Sequence, residues 1–140
     1  MSDAWMVVQT IFATVHWLPV IGISVLASVI GVVWHLPFLF GKIREKETAA
    51  DGGARKINKP LVIGLSLLLY FIAFTNLSLV VSGTGAISAL LTSLQISIVW
   101  LATALGTTYL FAGRSWRLIA VDSGLYVVLF AFGGLALGVW

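Results

Sequence analysis

Two ionisable side chains stand inside long apolar runs, and any chemistry in this chain would begin with them. Asp122 is the one acid within such a run, and His35 lies near the end of another. Ionisable groups are costly in hydrocarbon and are normally paired or hydrated. If the runs are membrane helices, both residues sit at a similar depth, ~7 Å inside one edge of the bilayer. A His–Asp pair across two helices is then geometrically possible. Its functional reading is a proton site or polar gate. Its structural reading, which carries more weight from sequence alone, is helix glue. Asp122 would then pair with His35, Arg117 or Tyr126, stay hydrated near the surface, or sit at the favourable positive end of its own helix.

Asn76 and Gln95 form a second polar candidate, each several residues inside a run. Interhelical bonds between such amides contribute ~0.6 to 2 kcal/mol, so helix pairing is the first expectation and a solute contact the second. Tyr70, Tyr109 and Tyr126 read as interfacial or packing residues. Gly134 and Gly138 make a small-xxx-small pair, as do Ala27 with Gly31 and Ala102 with Gly106. Such pairs let backbones approach, either within a bundle or between protomers.

Signatures of catalysis are missing. The chain has no cysteine, which removes disulfides, thiolate metal sites and cysteine nucleophiles. There is no HExxH spacing and no G-x-S-x-G elbow. Gly83-Thr84-Gly85 lacks the Lys of a phosphate loop. No metal site is expected. His16 and His35 lie at opposite ends of one run and cannot share a metal. Haem or a chlorophyll-type pigment on His35 is the one cofactor left open. The expectation is a non-enzymatic protein.

The elements that must position these residues follow from composition. Of the 140 residues, 60% are hydrophobic and only 9% charged, and mean hydropathy is +1.08. A soluble domain carries about 25% charged residues, so this chain cannot cover a water-facing surface. Four apolar runs match the ~20 residues needed to cross a bilayer: 19–40, 61–81, 87–111 and 118–140. The fold class is therefore an all-α membrane protein with four transmembrane helices. Residues 1–18 form a separate N-terminal segment, either an interfacial helix or an extension of the first span. Asp3 stands where a signal peptide would need positive charge.

All eight basic residues fall in two links. Residues 41–60 carry Lys42, Arg44, Lys46, Arg55, Lys56 and Lys59; the shorter link carries Arg114 and Arg117. With four spans both links share one side, and the positive-inside rule makes that side cytoplasmic, with both termini outside. A bacterial inner membrane is the expected location. The longer link, mixing basic and acidic residues around Gly52-Gly53, reads as mobile. The cations of both links are expected to touch anionic lipid headgroups. They are too sparse for nucleic acid.

Two similar boxes, His16-Trp17-Leu18-Pro19 and Trp34-His35-Leu36-Pro37, bracket the first run at a spacing of ~27 Å in a helix. Both tryptophans read as interfacial belt residues. These boxes, with Phe38-Leu39-Phe40-Gly41-Lys42 after the second, resemble a family of small bacterial four-span proteins catalogued as domain of unknown function 1761. Its first span closes on a Trp-Tyr-x-Pro-Leu-Phe-Gly-Lys-like run, and its last begins with Asp and a small residue, as in Val121-Asp122-Ser123-Gly124. Here His35 replaces the usual tyrosine. The resemblance implies four spans and draws attention to Trp34, Pro37, Gly41 and Asp122. It implies no activity.

A faint internal echo links Ile23-Ser24-Val25-Leu26 with Ile96-Ser97-Ile98-Val99, as a parallel repeat would. On sequence alone the leading role is a structural or accessory subunit, self-assembling as a homo-oligomer or joined to a larger membrane complex. The alternative is an oligomeric channel or transporter for protons or a small solute, using His35 and Asp122. A polar stripe along a cavity would favour transport; a closed apolar interior would favour scaffolding.

Overall fold

The computed structural model describes residues 2–49 and 58–140. Among them there are helices and no strand. Helix α1 (Ser2–Ala13) is followed by a break at residues 14–16 and then α2 (Trp17–Trp34). His16 leaves helical geometry (φ −80°, ψ 89°), so α1 is a separate helix and not a continuation of α2. Its side chains from Asp3 onward are exposed. Pro19 lies in the first turn of α2, where its missing N–H costs no intrahelical bond.

The first span is shorter than its apolar run. It stops at Trp34 and does not reach Phe40. Pro37 is the cause: the residue before a proline is pushed out of the helical region, and Leu36 is extended (φ −69°, ψ 148°). A five-residue π-helical turn, Pro37–Gly41, then leads into α3 (Lys42–Ala49). The link was expected to be mobile, yet its first part is this helix. Arg55 and Lys56 lie outside the described residues.

Three more spans follow: α4 (Lys59–Val81), a third span over Ala86–Phe111, and α7 (Trp116–Gly138). The third span is built from α5 (Ala86–Gln95), a π-helical stretch Ile96–Ala102 and α6 (Thr103–Phe111). Asn58 and Ser115 cap α4 and α7 with their side-chain oxygens. All four spans are long and apolar enough to cross a membrane. The protein is an all-α membrane protein.

The bundle is tight at one end and splayed at the other. At the tight end the turn between α4 and α5 meets the end of α7, with Gly85 N–H donating to the Gly138 carbonyl at 3.1 Å. The His16 and Trp140 rings lie 6.2 Å apart at the same end. Gly134 and Gly138 are buried against α5: a Cβ at Gly134 would lie 2.7 Å from Ser93 Cβ and 2.8 Å from the Ala89 carbonyl. The buried residues of α4, Phe74 to Val81, all belong to this half. At the opposite end α6 has no buried residue, and the first half of α4 has none either. The described basic side chains gather at this splayed end: α3, the start of α4 and the turn before α7. Helix α7 is the hub, with half of its spanning residues buried against 17% for the third span.

Candidate functional site

At the splayed end three helices converge on one carboxylate. Asp122, in the second turn of α7, is 5% exposed. Arg44 Nη1 donates to its Oδ1 at 2.6 Å, and the Tyr109 hydroxyl donates to its Oδ2 at 2.7 Å. His35 Nε2 lies 3.8 Å from Oδ1 and 3.2 Å from Arg44 Nη1. The other ring nitrogen, Nδ1, faces the Gly31 carbonyl at 2.7 Å. A carbonyl can only accept, so Nδ1 carries the proton and Nε2 offers its lone pair to Arg44. The cluster thus holds a buried acid with both oxygens engaged, as low-dielectric surroundings require.

The chain reversal after α2 supplies the guanidinium. Gly41 N–H reaches back to the Leu36 carbonyl at 3.1 Å, the wide spacing of a π turn. A Cβ at Gly41 would lie 2.8 Å from Leu36 C, so the turn has no room for a side chain. The reversal lays α3 under the bundle, where Arg44 points up to α7. Trp34 fixes the neighbouring contact: its Nε1–H donates to the Val121 carbonyl at 3.1 Å. A Cβ at Gly124 would lie 3.5 Å from the Trp34 ring. Trp34 therefore packs against α7 at the end of its span.

Above the cluster the splayed helices line a half-open cavity of about 580 Å³. Its polar lining comprises His35, Arg44, Lys59, Ser66, Asp122 and the tyrosines 70, 109 and 126, with Ser28 at its deep side. Val32, Val62, Ile63, Leu105 and Leu125 form the apolar wall. The size lies within the ~300–1,000 Å³ range of small-molecule sites.

The family model for "Protein of unknown function (DUF1761)" matches residues 18–138. The chain belongs to the DUF1761 family. No curated protein matches it, and no solved structure does. In this DUF1761 protein the two stretches that carry the resemblance touch each other through Trp34 on one side and Val121 and Gly124 on the other.

The structure brings some of the sequence candidates together and separates others. His35 and Asp122 share a site, 3.8 Å apart, and Arg44 bridges the two. Arg44 and Tyr109, read from sequence as a headgroup contact and a packing residue, are the direct partners of the acid. Only the π turn reveals this, and an apolar-run analysis has no signal for it. Asn76 and Gln95 do not meet: both are exposed, and Asn76 Nδ2 donates to the Ile72 carbonyl of its own helix at 2.9 Å. The buried polar side chains besides Asp122 are Ser24, Thr75, Ser78, Ser93, Ser97 and Ser123 among the described residues. Ser24 and Ser97, the serines of the faint repeat, are both among them. Gly134 and Gly138 lie inside the bundle, not on a face between protomers. Lys42, Lys46, Lys59 and Arg117 are exposed at the splayed end, and the Arg117 guanidinium lies over the Trp116 ring at 5.8 Å. Arg114 is half-buried there. Both ring nitrogens of His35 are taken, so haem or pigment ligation would first require Arg44 to leave Nε2.

Proposed function

We propose that this protein is a non-enzymatic membrane protein that binds a small solute in the cavity between its splayed helices, as a transporter or channel does. The carrying observation is the cavity of about 580 Å³, with a polar floor and an apolar wall, near the basic end of a bundle that is tightly packed at its other end. A closed apolar interior would have favoured a purely structural role. One end sealed and one open is the arrangement of one state of an alternating-access carrier. In this reading the basic end faces the cytoplasm of a bacterial cell, both termini face outward, and the exposed lysines meet lipid headgroups. Arg44, Asp122, His35 and Tyr109 form the polar floor that a solute would meet.

The test is ligand-dependent melting of the protein in zwitterionic nanodiscs against a panel of small organic acids, amines and neutral alcohols. A ligand at a hundred times its Kd stabilises by ~2.7 kcal/mol. At least one panel member should raise the melting midpoint of the native protein and leave Ser66→Trp, which fills the cavity, unshifted. No shift for any member, or equal shifts in Ser66→Trp, would contradict the reading.

One observation supports a second reading, a subunit of a larger assembly or homo-oligomer. The third span offers an apolar face that its own bundle does not cover: Trp100 is 70% and Phe111 91% exposed. Native mass spectrometry of the mildly solubilised protein tests it by counting copies and partners.

A further inference from the structure

We infer that the cavity solute is a small organic anion of single charge with an apolar body, such as an aliphatic monocarboxylate. This rests on the solute-binding reading above and names its ligand class. The argument starts from what a solute would find on the walls. Asp122 is the one acidic group among the described lining residues. Both its oxygens already accept, from Arg44 and from Tyr109. A cation entering the cavity would find no carboxylate oxygen without a donor on it.

Each of the remaining polar groups can donate a hydrogen bond. Lys59 brings an ammonium group to the mouth, and among the described residues no carboxylate pairs with it. The hydroxyls of Tyr70, Tyr126 and Ser66 line the space and have no hydrogen-bond partner among the described residues. Arg44 and Asp122 cancel in charge, and His35 is neutral when its Nε2 accepts. The described lining therefore carries one net positive charge, from Lys59. One anionic head matches that charge and the free donors. An inorganic ion would leave the wall of Val32, Val62, Ile63, Leu105 and Leu125 without a partner. An apolar tail fills it.

A carboxylate of this kind comes from a free acid, and similar chemistry comes from the head of an anionic phospholipid. The experiment uses three probes with one tail: octanoate, octylammonium and octanol, titrated onto the protein in phosphatidylcholine nanodiscs with tyrosine fluorescence as readout. Octanoate should bind at least ten-fold more tightly than the other two. Lys59→Gln should weaken octanoate about ten-fold and leave octanol unchanged, as loss of one charge-assisted contact implies. Replacing a tenth of the lipid with phosphatidylglycerol identifies the source. Unchanged octanoate affinity supports a free acid; loss of octanoate binding that Lys59→Gln relieves points to the phospholipid head and overturns the small-acid assignment. Octylammonium or octanol binding as tightly as octanoate would overturn the anion class while leaving a solute cavity. Failure of all three probes, with Ser66→Trp behaving as native, would remove the solute-binding reading itself.

Discussion

Arg44 Nη1 lies 2.6 Å from Asp122 Oδ1 and 3.2 Å from His35 Nε2, so the guanidinium bridges the acid and the histidine, which are themselves 3.8 Å apart. The acid belongs to the last span and the arginine to the short helix after the first. Their ion pair pins α3 to the bundle and forms the cavity floor. Removing one partner strands the other in low-dielectric surroundings, which costs ~3–5 kcal/mol for fully buried pairs. The Arg44 side chain is 40% exposed, so hydration recovers part of that.

Asp122→Asn and Arg44→Gln should each destabilise the detergent-solubilised protein by about 2 kcal/mol. The double variant should lose clearly less than the sum, with a coupling of ~1 kcal/mol or more. Thermal melts of the four proteins measure this. Strict additivity would show that the two groups do not share a bond.

Gly41→Ala should act on the same contact from a distance. The added methyl has no room beside Leu36, so the π turn must open and carry α3 away. Its loss in melting midpoint should be no greater in an Arg44→Gln background than Arg44→Gln alone produces. Full additivity in the melts would mean that the turn does not position Arg44.

Gly134→Ala and Gly138→Ala should destabilise the single bundle by ~1–3 kcal/mol through overpacking against α5. The effect should appear at every protein concentration, because the contact is internal. Gly22→Ala and Gly64→Ala are the controls: a Cβ at either position meets nothing within 4 Å, and alanine favours a helix. Destabilisation that vanishes at high protein concentration would instead assign Gly134 and Gly138 to a protomer interface.

Asn76→Leu and Gln95→Leu should change stability by less than ~0.5 kcal/mol, since neither amide bridges helices. Ser93→Ala should be neutral or stabilising: its buried hydroxyl has no hydrogen-bond partner among the described residues. A large loss for either amide in melts would restore the helix-pairing role that sequence suggested.

Hydrophobic run length revealed the four spans, because the bilayer sets that length whatever the packing. Scarcity of charge singled out His35 and Asp122, because an ionisable group in an apolar run always needs an explanation. What sequence did not reveal was the reach of one backbone reversal. Pro37 signals a helix end, but nothing in a string of residues says that Gly41 closes a π turn or that Arg44 then faces inward. Arg44 shares its link with other cations and looks the same as they do. Asn76 and Gln95 failed for a related reason: polarity inside a run shows a need for a partner, and a carbonyl one turn back can meet it. The glycines of α7 showed close approach without showing to what.

The absence of cysteine makes the central claim, a water-accessible cavity open at the basic end, directly measurable. Thiols react with maleimides only as hydrated thiolates. Ser66→Cys, half-buried on the cavity wall, should label with a membrane-impermeant maleimide applied to the face bearing the basic links. It should not label from the opposite face. Ser24→Cys, at a buried position of α2, should label from neither. Absence of labelling at Ser66→Cys from both faces, or labelling from the face of the chain termini, would contradict the account.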